Sequence, residues 1–343
     1  MPRETPAGRS RTPAGRSRPV DTVRGPVPPE DLGRVLMHEH IFILSPEFAD
    51  NYPEHEGFRE SEEIPAAAER LDTLAAEGVS TIVDPTVIGL GRYIPRIQQV
   101  AARTRLNIVV ATGLYTYGDI PHYLQYRGPG TLLGGEEPLV DMFVEDITTG
   151  IAGTGGVKAG VLKCATDEAG LTPGVERVLR AVARAHRATD APILTHTHAA
   201  TRRGTEQQDV FEAEGVDLTR VVIGHCGDST DLGYLMSIAD RGSVLGMDRF
   251  GLETRLPFEQ RVETVAALCE RGYADRMVLA HDASCYIDWY PMRELPSLLP
   301  DWHYLHISRD VLPALRERGV TEEQITAMMT VNPRRMLERR GDA

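Results

Sequence analysis

Cysteine, aromatic residues, positive charge and long apolar runs are all scarce in this chain. Its four cysteines, Cys164, Cys226, Cys269 and Cys285, form no CxxC pair and no disulfide-framework spacing. That pattern argues against a disulfide-stapled scaffold and predicts reduced thiols in a cytoplasmic setting. No stretch reaches the ~20 apolar residues that cross a bilayer, and no secretory pattern opens the sequence. Lys and Arg number 37 against 50 Asp and Glu, a formal charge of −13. Residues 1 to 26 hold six Arg and two acidic residues, +4, so the remainder carries −17. Such acidity speaks against nucleic acid or an anionic membrane as partner and leaves a small molecule as the expected one.

What is present is ordinary for a globular protein: 41% hydrophobic residues among 343, enough for a large core. The first residues are different. TPAGRSR occurs at Thr5 to Arg11 and again at Thr12 to Arg18, and such a Pro/Gly/Ser/Arg segment cannot bury a core. Residues 1–26 are therefore expected to be a disordered basic tail, and 27–343 a single domain.

After Pro29 apolar runs alternate with amphipathic stretches. The strand candidates are VLMHEHIF, VSTIVDPT, LNIVVATGLY, GVKAGVLKCA, APILTHTHA, RVVIGHCGD, GSVLGMDRF and RMVLAHDAS. Between them lie helical stretches from Ala66, Val175 and Gln260, several ending in Gly. Eight near-continuous apolar strands separated by helices predict an α/β fold, the (β/α)8 TIM barrel, with an open doubly wound sheet as the alternative.

A barrel carries its site at the C-terminal ends of its strands, and here those ends are rich in histidine. His38 and His40 stand in RVLMHEHIFI, His196 and His198 in LTHTH, His225 in IGHCG, and His281 precedes Asp282. In a continuous strand His38 and His40 share one face. Taken alone, that pair suits either a metal ion or two hydrogen-bonded imidazoles. Six of eleven histidines at strand ends favour the metal. Lys163, in GVLKCATD, is open to three readings: a snorkelling surface lysine, a Schiff-base nucleophile, or a metal-associated amine that captures carbon dioxide as a carbamate.

The motifs LMHEH, TIVDPTVIGLGR, ATGLYTY, LKCATDE, THTH, GVDLTRVVIGHCGDSTD, GMDRFG and HDASCYIDW resemble those of the phosphotriesterase-like lactonases of the amidohydrolase superfamily, from about Asp31 to Leu337. The resemblance implies two divalent metal ions, zinc foremost, with cobalt, iron or manganese as alternatives. It implies that His38, His40 and Asp282 hold the buried ion and His196 and His225 the exposed one. Lys163, as N6-carboxylysine formed with CO2, would bridge the pair together with a hydroxide. It further implies that this hydroxide attacks a lactone, with an N-acyl-homoserine lactone in quorum quenching as the expected substrate and organophosphate triesters as promiscuous ones. The catalytic residues would then be Asp282, Lys163 and Tyr115. A primary phosphotriesterase or another carboxylic ester hydrolase is the alternative on the same site. A homodimer is usual for the family.

Around that centre the expectations are finer. Tyr115 is either a packed rim aromatic or a group over the metal pair. Arg249, Tyr286 and Trp289 resemble pocket residues, Arg249 with a surface salt bridge as its other reading, and Cys285 lies where it can meet substrate. His198 is read as pocket wall or outer support, and His281 as a residue that orients Asp282. His186 and His55 are expected on the surface. Two readings compete from other classes: an imine-forming aldolase built on Lys163, and a non-catalytic barrel used as a binding module.

Overall fold

The computed structural model describes residues 18–53 and 57–339. Eight parallel strands form one sheet in consecutive order: β1 Arg34–Leu36, β2 Val79–Asp84, β3 Asn107–Gly113, β4 Val161–Thr166, β5 Ile193–Thr197, β6 Val221–Ile223, β7 Val244–Met247 and β8 Met277–Leu279. A helix follows each strand up to β7: α1 Glu60–Ala76, α2 Ile94–Ala101, α3 Pro138–Thr148, α4 Pro173–Thr189, α5 Arg203–Ala213, α6 Leu232–Asp240 and α7 Phe258–Glu270. The ring is drawn together at its mouth. Beyond β1 and β8 the chain forms two further short strands, His40–Ile43 and Ser284–Ile287, which pair in parallel with Ser284 opposite His40. This is the TIM barrel.

Strand parity separates two apolar layers. Val35, Val83, Val109, Ala111, Val161, Leu194, Val222, Val244 and Val278 fill the barrel interior. Their neighbours Leu36, Ile82, Ile108, Leu162, Ile193, Ile223, Leu245 and Leu279 pack outward under the helices. Two residues beyond an interior position points inward again. Val161 thus sets Lys163, and Leu194 sets His196.

Two glycines allow the strands to approach beside the site. A Cβ on Gly113 (φ +149°) would lie 1.9 Å from the Lys163 carbonyl oxygen, and one on Gly224 1.9 Å from that of Thr195. No side chain fits at either place.

Three expectations change here. Val20–Thr22 pairs antiparallel with Gly25–Val27, and the Val23 N–H donates to the Ile108 carbonyl at 2.9 Å. The packed fold therefore begins before the expected tail boundary at residue 26, because Val20 and Val23 have apolar surface to bury. Residues 1–17, with most of the TPAGRSR repeat, lie outside the described residues, as does His55. Helix α1 starts at Glu60, ahead of Pro65, rather than at Ala66. The surface reading of His186 is corrected: it is 5% exposed on the buried face of α4, its Nδ1 2.8 Å from the Ala191 carbonyl oxygen. It stands seven residues after Leu179, on the same apolar stripe.

Candidate metal centre

The first strand does not run through the His-Glu-His motif. β1 ends at Leu36, a bend covers Met37 and His38, and pairing resumes at His40. His38 and His40 consequently do not share a strand face as expected. The bend brings them together instead: each Nε2 lies 3.3 Å from Asp282 Oδ1. Lys163 Nζ is 3.0 Å from His38 Nε2, and His225 Nε2 is 2.8 Å from His196 Nδ1. His225 Nε2 is 3.9 Å from Asp282 Oδ2. All six residues line one cavity of about 320 Å³ at the barrel mouth.

Each imidazole has one ring nitrogen facing this centre and the other against an oxygen. His38 Nδ1 meets Asp248 Oδ2 at 3.0 Å, and His225 Nδ1 meets Asp248 Oδ1 at 2.8 Å. His40 Nδ1 meets Thr86 Oγ1 at 2.7 Å, and His196 Nε2 meets Asp167 Oδ2 at 2.7 Å. An oxygen acceptor fixes the ring proton on its own side, leaving the inner lone pair free. His196 Nδ1 and His225 Nε2 then direct two lone pairs at each other across 2.8 Å, an arrangement that a shared cation relieves. The donor set of neutral imidazole and carboxylate therefore fits divalent metal ions. Asp248 forms a second conceivable cluster with His38 and His225. Its oxygens are already used by two ring N–H groups and the His225 backbone N–H, so it supports ligands rather than joining them.

Electrostatics agree for every member of the set but His40. Burial lowers the Lys163 ammonium to about 8, although Asp282 and Asp248 attract its charge. Burial likewise pulls His196 down to about 4 and His225 well below the usual imidazole range. His38 is lowered by burial and by Lys163. His40 rises, because Asp282 and Asp84 outweigh its burial. For Asp282 burial opposes ionisation, but His38, His225 and Arg249 hold it well below the ordinary carboxylate range.

Tyr115 stands over His196, its hydroxyl 3.1 Å from Nδ1 and hydrogen-bonded to the Tyr117 hydroxyl. Arg249 is a partly buried ion-pair partner: Nε donates to Asp282 Oδ2 and Nη1 to Asp228 Oδ2, both at 2.9 Å. Trp289, half exposed, lines the cavity with Leu90, Leu252, Ile287, Tyr290 and Trp302. Three residues fall elsewhere. Cys285 and Tyr286 do not reach the cavity but pack in the outer apolar layer: Cys285 Sγ is 3.3 Å from the Tyr304 hydroxyl, and the Tyr286 ring packs edge-on against Phe58. His281 does not orient Asp282 through its side chain. Its Nδ1 is 2.7 Å from Glu39 Oε1, and its Nε2 accepts from the Ile307 N–H at 2.9 Å. His198 lies beside the cavity, its Nδ1 2.9 Å from Thr201 Oγ1.

Sequence reasoning missed Asp248, Asp167, Tyr117 and Glu39. Parity from Val244 could have found Asp248, and the spacing from Tyr115 could have found Tyr117. His225, Arg249 and Asp282 also adopt positive φ, at 60°, 66° and 54°. Such clustering of a sparsely populated conformation marks a functional mouth.

Known proteins resemble this chain along nearly its whole length. The sequence profile of the phosphotriesterase family matches residues 18–337. A phosphotriesterase homology protein of Mycobacterium tuberculosis is 62% identical over 94% of this chain and 98% of its own length. An aryldialkylphosphatase of Saccharolobus solfataricus is 40% identical over 89% and 95%, respectively. The solved structure of the phosphotriesterase from Mycobacterium tuberculosis superposes with a TM-score of 0.93, covering 95% of this chain and all of that one. A barrel whose mouth gathers four imidazoles, a lysine and an aspartate, matched over nearly its whole length, leads to one assignment: this chain belongs to the phosphotriesterase family of hydrolases.

Proposed function

We propose that the protein is a binuclear metal hydrolase that opens lactones, N-acyl-homoserine lactones foremost, with weaker activity on organophosphate triesters. The observation that carries the reading is the set of four imidazoles whose outer nitrogens are each held by an oxygen, while the inner ones of His38 and His40 meet Asp282, that of His38 also Lys163, and those of His196 and His225 each other. His38, His40 and Asp282 would hold one cation, His196 and His225 the other, with Lys163 between them as N6-carboxylysine. The cations, zinc foremost, supply an activated water and a Lewis acid when bound.

The chain's own residues supply the rest. Lys163, lowered to about 8, has the neutral amine that carbon dioxide needs. Asp282 is ionised and takes a proton at a carboxylate oxygen, then returns it to the leaving alkoxide. Arg249 on Oδ2 fixes that carboxylate's rotamer. The Tyr115 hydroxyl, kept protonated by burial, donates to the reacting group. Tyr117, Trp289, Tyr290 and Trp302 enclose the substrate and exclude water. The lactonase-like stretches ATGLYTY, DRFG and HDASCYIDW favour a lactone over a triester. A homodimer in a cytoplasmic setting completes the proposal.

The experiment is a panel of acyl-homoserine lactones and paraoxon with zinc-loaded protein, with and without chelator. Higher kcat/KM on a lactone, abolished by chelation, is expected. Far faster turnover of paraoxon than of any lactone overturns the substrate assignment.

A further inference from the structure

The rim of the aromatic cavity holds a cation with no counter-charge among the described residues. Thr254, Arg255, Trp289 and Tyr290 are all exposed there, above the more deeply placed Leu252 and Ile287. The other arginine of the cavity, Arg249, is committed to Asp282 and Asp228. Among the described residues Arg255 has neither an ion pair nor a side-chain hydrogen bond. Asp282, neutralised by Arg249, is the one carboxylate among the residues that line this cavity. A second cavity of about 330 Å³ meets the first along Tyr117, His196, Arg249 and Arg255, and it carries Asp167, Glu168 and Asp228. An anion is therefore disfavoured on the acidic side of Arg255 and favoured on the aromatic side.

A guanidinium at the wall of a half-enclosed, aromatic chamber binds a planar or tetrahedral oxyanion by charge-assisted hydrogen bonds. We propose that Arg255 is a specificity site for an oxyanion, a carboxylate or sulfonate, carried by the substrate away from the bond that breaks. A substrate that uses this site is then a charged amphiphile, turned over beside the uncharged N-acyl-homoserine lactones. Its carbonyl lies among the histidines, an apolar segment runs along Leu252, Ile287 and Trp289, and its anion sits at the rim. The substrate class rests on the hydrolytic reading given above; anion binding by Arg255 does not.

Two measurements separate those claims. Trp289 and Trp302 are the only tryptophans of the chain and both line this cavity, so selectively excited tryptophan emission reports on it alone. Zinc-loaded protein titrated with 1-butanesulfonate is expected to respond saturably, and with uncharged butanesulfonamide not to respond. Arg255→Gln is expected to weaken the sulfonate response about tenfold, as loss of a charged hydrogen bond does, and Arg255→Lys to restore part of it. In parallel, a γ-lactone bearing a carboxylate at the far end of an alkyl side chain is compared with its carboxamide. The kcat/KM ratio of acid to amide is expected to fall about tenfold in Arg255→Gln. No response in the wild type, or equal responses in wild type and Arg255→Gln, overturns the anion site. A fluorescence response with no lactone opened refutes the reaction and leaves the anion site standing.

Discussion

Asp248 grips two histidines with one carboxylate: Oδ1 lies 2.8 Å from His225 Nδ1 and Oδ2 lies 3.0 Å from His38 Nδ1. Those histidines are assigned to different cations, so Asp248 couples the two halves of the centre. Asp248→Asn keeps the shape but offers an amide N–H to a ring N–H, which forces one imidazole into the wrong tautomer. We expect metal affinity to fall ~10- to 100-fold, as when an outer partner of a ligand is lost. Zinc content after dialysis against a graded chelator series measures this, and an unchanged retention curve would refute the coupling.

Lys163 gives a pH dependence with a definite sign. Its ammonium is lowered to about 8 by burial. Below that pH the amine is protonated and cannot attack carbon dioxide; above it the neutral amine would form the proposed carbamate and release a proton. Metal-free protein given zinc and a fixed concentration of dissolved CO2 should regain activity faster as pH rises through about 8. The chain has only two lysines, Lys158 and Lys163. A carbon-13 carbamate signal is therefore readily assigned, and it should vanish in Lys163→Ala. A signal that persists in that variant would place the carbamate elsewhere.

Metal removal should cost stability as well as turnover. Without cations the paired lone pairs of His196 and His225, 2.8 Å apart, must be relieved by a proton or by movement. Free zinc at ~100 times its Kd would stabilise the fold by about 2.7 kcal/mol. Calorimetry with and without chelator reads this as a fall in Tm. Equal Tm in the two states would mean that the site does not bind zinc under those conditions.

The barrel was legible because its signals are local and repeated: eight apolar runs, amphipathic helices between them, and chemistry at the strand ends. Lys163 and His196 follow from strand parity alone. His38 does not, because parity from Val35 puts it on the outer side. Only the bend after Leu36 turns it inward, and that bend depends on pairing with residues some 240 positions away, such as the Asp282 N–H donated to the His38 carbonyl at 3.0 Å. Cys285 and Tyr286 were misplaced for the same reason, since the strand Ser284–Ile287 exists only by pairing with His40–Ile43. Sequence proximity to Asp282 does not tell which way a side chain faces.

Glu39, the residue between the two motif histidines, has its own task. Fully buried, its Oε1 accepts from both the backbone N–H and Nδ1 of His281, at 2.8 and 2.7 Å, and its Oε2 accepts from the Ala283 N–H at 3.3 Å. Those amides flank Asp282, whose φ of 54° is a conformation that a non-glycine residue keeps only when its surroundings enforce it. His281 extends the grip: its carbonyl accepts from Trp302 Nε1 at 2.9 Å, and its Nε2 from the Ile307 N–H at 2.9 Å. Both ends of the segment that carries Ile287, Trp289 and Tyr290 are thereby tied to one pair of residues. Glu39→Gln retains one acceptor oxygen but sets an NH2 donor against N–H groups that need an acceptor. A cost of about 1–3 kcal/mol is expected, read as a lower denaturation midpoint. A kcat that falls more than KM rises would show that the Asp282 carboxylate, rather than the cavity wall, has lost its placement. If KM alone rises, Glu39 acts on the loop and not on Asp282.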